Sequence, residues 1–182
     1  MRKVVASLQM TLDGVVADPQ NWSFQFNSDE QMKYKFDELF SADALLLGRI
    51  TYQGFAAAWP HMTAQTGAYG ERMNSLPKYV PSTTLTEAEW NASLIKDDLG
   101  QTISSLKQEE GSDILIFGSV ELIRSLVPLN VIDEYRLLVY PIVVGSGKHL
   151  FNEANDIQVL KLTACTQFSS GVVLLTYQPE SK

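Results

Sequence analysis

Three short segments of this chain combine glycine, hydroxyl and cationic residues in a way that suits phosphate: Gly48-Arg49-Ile50-Thr51, Ser82-Thr83-Thr84 and Gly118-Ser119-Val120. Glycine lets an anion approach the backbone, hydroxyls donate to phosphate oxygens, and arginine adds a cation with forked donors. The first and last open a helical pattern, so unpaired N–H groups and the positive end of a helix dipole fall at the same point. Each alone also reads as an ordinary turn or N-cap; three in one domain point to a ligand with several phosphates. Gly145-Ser146-Gly147 is glycine-rich but lies between strand-like runs and opens no helix, so it reads as a turn or bulge. No G-x-S-x-G elbow is present, and neither His61 nor His149 has an acidic neighbour, which removes a hydrolytic triad. The single cysteine, Cys165, excludes an internal disulfide and a thiolate zinc cluster and is expected to be a buried, inert thiol in a strand. With two histidines as well, no metal site is expected.

The elements that must position these segments follow from periodicity and turn residues. Val4 to Leu8 form an opening strand ending near Gln9, and residues 15–28 form a long aromatic-bearing loop of the kind that covers ligands. Met32, Phe36, Leu39 and Phe40 line one side of a helix over Asp29–Phe40, with Ser28 as N-cap. Ala44 to Leu47 is a continuous apolar run, as in a strand buried on both faces, and Gly48 leads into a short helix that Pro60 ends. Residues 61–76 read as irregular or weakly helical. Strands follow at Lys78–Pro81 and Ala92–Ile95, an amphipathic helix carries Leu99, Ile103 and Leu106, and Asp113–Phe117 is another apolar strand. Leu122, Ile123 and Leu126 mark a helix closed by Pro128. Tyr135–Val144 is a long strand, and Val159–Phe168 with Val172–Tyr177 form a β-hairpin around Ser169-Ser170-Gly171. Strands that alternate with helices and then meet a hairpin predict an α/β fold, mainly parallel, with antiparallel strands at the C-terminal edge.

The chain has 182 residues, room for one domain. Its formal charge of −7 is the wrong sign for a phosphate-backbone binder, so nucleic acid is not expected as a partner. Hydrophobic residues at 45% and charged residues at 19% exclude intrinsic disorder and allow a sizeable core. The apolar stretch after Met1-Arg2-Lys3 breaks at Ser7, and no run has the length of a membrane span, so the protein is expected to be cytoplasmic and away from membranes. No internal repeat, low-complexity tract or linker interrupts the chain.

Four segments in order carry a family likeness: Ser7 to Gly14, Leu45 to Tyr52, Ile116 to Ser119, and Asp133-Glu134 followed by Pro141 to Gly147 and Leu150-Phe151. They resemble the reductase domain found C-terminally in bifunctional riboflavin-biosynthesis enzymes, which has the dihydrofolate reductase fold. The resemblance extends over nearly the whole chain, taken as one domain over residues 1–182. It implies a three-layer αβα architecture around a mixed eight-stranded sheet, NADPH as cofactor and a homodimer. In the riboflavin enzymes the substrate is 5-amino-6-(5-phosphoribosylamino)uracil, whose ribosyl ring is opened by hydride reduction. Without a deaminase motif beside it, this chain is like the stand-alone members, whose substrates are mostly unassigned, and a small-molecule substrate is expected.

The resemblance also implies roles. Asp13 orients a substrate hydroxyl or relays a proton, or else caps the turn before Gly14. Gly14 and Val15 let a nicotinamide lie close to the backbone. Gly48, Arg49, Thr51, Ser82 and Thr83 take the phosphates, the 2′-phosphate included, and Gly118, Ser119 and Val120 take the pyrophosphate. Trp22, Met32 and Phe55 are the expected substrate contacts, Trp22 by its place in the loop; Trp22 and Phe55 also read as core aromatics. Dihydrofolate reductases carry a carboxylate near the position of Met32, which argues against a pterin substrate here. They also pair two glycines where this chain has Gly118-Ser119. The other readings are a true dihydrofolate reductase and a nucleotide-binding dimeric scaffold without chemistry.

Overall fold

The computed structural model describes residues 1–151 and 157–180. The strands are β1 (Val4–Thr11), β2 (Ala42–Leu46), β3 (Lys78–Pro81), β4 (Ala92–Ile95), β5 (Asp113–Phe117), β6 (Glu134–Tyr140), β7 (Leu160–Gln167) and β8 (Val173–Pro179). The helices are α1 (Asp29–Ser41), α2 (Arg49–Thr66), α3 (Ala68–Ser75), α4 (Leu99–Gln108) and α5 (Val120–Leu126). All eight strands form one sheet in the order β4-β3-β2-β5-β1-β6-β8-β7. β1 pairs in parallel with β5 and β6, and β2, β3 and β4 continue the parallel part. β8 runs antiparallel to both β6 and β7, so the C-terminal hairpin closes the sheet with β7 at its edge.

The central strands are apolar without alternation because helices cover both of their faces. On one face Val4, Ala6, Leu8, Ala44, Leu46, Ile114 and Ile116 pack against α4 and α5 through Ile103, Leu106, Leu122, Ile123 and Leu126. On the other, Val5, Leu45, Leu47, Leu115 and Phe117 meet Leu39 of α1, Tyr52 of α2, Met73 of α3 and Leu76. A third cluster, Trp22, Leu138, Tyr140, Phe168, Val172 and Leu174, seals the hairpin end. β1 and β5 are neighbours whose following helices cover opposite faces, and between such strands an open α/β sheet leaves a crevice at its carboxyl edge.

Several expectations need correction. β1 runs on to Thr11, and β6 stops at Tyr140, after which Pro141 leads into turns. Pro60 lies inside α2, which continues to Thr66, and residues 68–75 form α3. Proline removes one backbone donor but does not end a helix whose second half is held from outside. Here Asn74 of α3 donates to the Trp59 carbonyl (3.2 Å) and the Thr63 hydroxyl (3.0 Å). α1 is capped by Ser28, whose hydroxyl accepts from the Gln31 amide, but Met32, Phe36 and Phe40 are its exposed side. Cys165 is exposed on β7 rather than buried. No helix among the described residues is long and apolar enough to cross a membrane.

Candidate functional site

A cavity of about 570 Å³ lies at the carboxyl edge between β1 and β5, a size that suits a small-molecule site. β1 contributes Ser7, Leu8 and Gln9, the end of β5 contributes Phe117, Gly118 and Ser119, and α2 contributes Ile50, Thr51, Gly54, Phe55 and Trp59. The loop after β1 adds Val16, Asp18, Pro19 and Gln20, α1 adds Lys35, and α3 adds Tyr69 and Met73. Its aromatic wall is ordered: Phe55 meets Trp59 edge-on with ring centroids 6.2 Å apart, and Trp59 meets Tyr69 at 5.7 Å.

Of the residues expected at a site, Thr51, Phe55, Gly118 and Ser119 line this cavity. Gly118 and Ser119 both sit in the left-handed region, with φ of 66° and 58°. A Cβ on Gly118 would meet nothing within 4 Å, so its backbone is open to an incoming group. Ser119 holds the N-cap position of α5, yet its side chain caps no amide. It fills the space beside Gly48 instead, where a Cβ would overlap the Ser119 hydroxyl. Gly48 therefore serves a close approach of two loops, and the phosphate-type donors at this edge are Thr51, Arg49, the Ser119 hydroxyl and the first amides of α2. Arg49 is exposed and donates to Gln53 (3.2 Å). Ser82 is nearly buried, its hydroxyl accepting from the Thr84 and Leu85 amides, while Thr83 is exposed; neither lines the cavity. Val120 packs against the core.

The structure places the remaining expected residues elsewhere. Asp13 is a loop clamp: its carboxylate accepts from the Thr11 hydroxyl and from the amides of Val144 (3.3 Å) and Gly145 (2.8 Å). Those bonds, Thr11's first, hold the carboxyl below the usual carboxylate range, which makes it a poor proton donor, and it does not line the cavity. Gly14 faces the ring of His149, and Val15 bridges to His149 and packs against Gly147. That segment, not a ligand, covers their backbone. Trp22 is 7% exposed, stacked edge-on against Tyr140 at 5.2 Å, with its indole N–H on the Ala17 carbonyl. Met32 is 54% exposed on the outer side of α1. The loop after β1 does wall the cavity, through Val16, Asp18, Pro19 and Gln20 rather than through its aromatics.

The inward side of α1 carries what hydropathy overlooks. Gln31, Tyr34, Lys35 and Glu38 recur at i, i+3, i+4 and i+7, one face of a helix. The Glu38 side chain has no solvent exposure. It accepts from Ser7 Oγ (3.0 Å), Tyr34 Oη (2.8 Å) and Lys35 Nζ (2.6 Å), with Arg136 at 3.5 Å. Burial pushes this carboxyl up, but Lys35, Tyr34 and Arg136 together outweigh it and hold it below the ordinary range. Arg136 in turn donates to Glu134 (2.7 Å), which also accepts from Gln178 (3.2 Å). Lys35 further donates to Ser7 Oγ (3.1 Å) and lies 4.5 Å from the centroid of the Phe117 ring. The signal for this set is a polar stripe at helical spacing.

Residues 2–174 match the model of the RibD C-terminal domain. Among solved structures, a candidate riboflavin biosynthesis protein from Shewanella sp. PV-4 is 22% identical, with a TM-score of 0.79 over 98% of this chain and 99% of its own. Dihydrofolate reductase from Enterococcus faecalis, complexed with NADP(H) and RAB-propyl, has a TM-score of 0.66 at 13% identity, covering 98% and 97%. A diaminohydroxyphosphoribosylaminopyrimidine deaminase/5-amino-6-(5-phosphoribosylamino)uracil reductase from Thermotoga maritima has a TM-score of 0.63 at 16% identity; the match covers 98% of this chain and 57% of that one. The fold is that of dihydrofolate reductase.

Two outcomes follow from the geometry. Glu38→Gln leaves Lys35 and Arg136 facing a neutral amide and is expected to lower unfolding stability by on the order of 3 kcal/mol in urea titrations at pH 7. Because the native Glu38 pKa lies below its unfolded value, its contribution is complete above about pH 5 and is lost as pH falls; the variant should show a shallower acid loss. Gly48→Ala should cost about 1–3 kcal/mol through overlap with Ser119. In the Gly48→Ala/Ser119→Gly double variant that cost should largely disappear, and additive losses in the double-mutant cycle would contradict the contact.

Proposed function

The chain belongs to the RibD C-terminal domain family, and on that premise we propose that it is an NADPH-dependent reductase of a small heterocyclic or ribosylamino substrate, of the kind represented by 5-amino-6-(5-phosphoribosylamino)uracil. The observation that carries the reading is the cavity at the switch between β1 and β5, walled by aromatic rings on the α2 side and ending at the open Gly118 backbone. Such a chamber has room for a nicotinamide beside a second planar ring, and bound NADPH supplies the hydride.

The residues present fit that cofactor. Thr51 and the first amides of α2 offer donors to phosphate at a helix of 18 residues, where the dipole favours an anion. Gly48 caps that helix without a side chain, so its amides are not taken by a capping oxygen. The Gly118-Ser119 backbone, in its left-handed turn, leaves room for a pyrophosphate to approach closely. Arg49 supplies the exposed cation that a 2′-phosphate requires. Ser82 shapes the neighbouring turn, and the exposed Thr83 hydroxyl has no partner among the described residues. The chain's part in catalysis is to hold the two rings in register and keep water from between them.

The same reading includes a homodimer. Among the described residues β7 has a strand partner on one side only, and nearly all of its residues are exposed, Leu162 and Cys165 among them. An open edge of this length is an aggregation hazard unless another copy covers it. Sedimentation at micromolar concentration should give twice the 20.3 kDa chain mass; a monomer would end this part of the reading.

The cofactor assignment is tested by titration calorimetry. NADPH is expected to bind about tenfold or more tightly than NADH, and Arg49→Met to bring the two close together. Equal affinities in the native protein would remove Arg49's role. Loss of reduced-nicotinamide absorbance with 5-amino-6-(5-phosphoribosylamino)uracil is the test of turnover.

A further inference from the structure

The cavity's buried end has a polarity that follows from α1. Glu38 is fully enclosed and its oxygens are occupied by Ser7, Tyr34, Lys35 and Arg136. Glu38 therefore has no acceptor position left for a ligand's N–H group; Gln9, which also lines the cavity, carries an amide that both donates and accepts. Lys35, by contrast, lines the cavity with its side chain 22% exposed. An ammonium has three donors and no acceptor; Ser7 and Glu38 use two, so one N–H remains. Tyr69 lines the same cavity, and its hydroxyl has no hydrogen-bond partner among the described residues. Burial raises its pKa, so it stays protonated and able to donate. Aromatic faces from Phe55, Trp59 and Phe117 complete a slot for a flat ring.

We infer that Lys35 is the specificity-determining residue of this chamber: its ammonium, with the Tyr69 hydroxyl as second donor, accepts a planar heterocycle by an edge bearing carbonyl oxygens and turns away one whose edge bears amino groups. Glu38 and Ser7 are positioning residues that hold the ammonium in place. A ring that presents amino groups to Lys35 would set N–H against N–H there, since the ammonium, unlike the Tyr69 hydroxyl, cannot accept; that arrangement costs more than a missing contact. Asp18 is the other charged lining residue, an exposed loop carboxylate that accepts from Gln20 at 3.4 Å. The inference rests on reading the cavity as a reductase's substrate chamber.

The test uses a matched pair, 2,4-dioxopteridine and 2,4-diaminopteridine, titrated calorimetrically into the full chain with and without saturating NADPH. The dioxo ring is expected to bind about tenfold or more tightly than the diamino ring. Lys35→Met should remove most of that preference, Lys35→Arg should keep part of it, and Tyr69→Phe should weaken the dioxo ring by a smaller factor. Circular dichroism and melting curves establish that each variant folds; should Lys35→Met not fold, the native pair and Lys35→Arg decide. Equal or tighter binding of the diamino ring, binding of neither ring, or an undiminished preference in Lys35→Met overturns the inference. So does a diamino preference that Asp18→Asn abolishes. NADPH binding is read in the same titrations: a dioxo preference without NADPH binding overturns the reductase reading and leaves Lys35's role standing, and NADPH binding without ring preference does the reverse.

Discussion

One buried carboxylate organises the functional half of this molecule. Glu38 reaches from α1 to Ser7 on β1 and Arg136 on β6, positions separated from it in sequence by 31 and 98 residues. A carboxylate without solvent would be prohibitive alone, and it persists because Lys35, Tyr34, Ser7 and Arg136 supply charge and donors together. The consequence is geometric. With Glu38 docked over β1, α1 cannot rotate about its axis, so Lys35 is directed to the cavity and Met32, Phe36 and Phe40 are left outside.

The second constraint is steric and lies across the crevice. The loop after β2 and the loop after β5 meet where Gly48 gives way to Ser119. That contact brings the start of α2 against the Gly118-Ser119 turn, which places Thr51 and Phe55 on the same chamber as the open backbone of Gly118. Asp13 does a comparable task on the other flank, tying the end of β1 to the turn at Val144-Gly145. Residues that look like chemistry in the sequence thus divide into those that touch the chamber and those that shape its walls. The division follows whether a residue's polar atoms are already satisfied by backbone amides.

Much of the architecture was legible because it rests on transfer of apolar groups. The unbroken apolar runs of β2 and β5, the alternation with helices and the terminal hairpin each have one economical burial pattern, and all appear in the sheet. Less of the site was legible. Pro60 reads as a helix stop because its missing donor is a local fact, whereas the Asn74 side chain that holds the following turns comes from another helix. Trp22 reads as a ligand platform because it lies in a loop, whereas Tyr140 makes it part of the core.

By itself, then, the sequence determined the order of elements, the mixed sheet, the family likeness and the candidacy of Thr51, Phe55, Gly118 and Ser119. Only the tertiary structure decided which face of α1 turns inward, and with it the roles of Lys35 and Glu38. The physical reason is that hydropathy registers a cost or gain for each residue separately. Met32, Phe36 and Phe40 form the more apolar stripe, yet the side turned inward carries Gln31, Tyr34, Lys35 and Glu38 beside Leu39, and its polar groups are compensated in part by Ser7, Arg136 and Tyr140. A compensation that depends on partners brought from distant strands has no periodicity of its own, and so exists only once the sheet has formed.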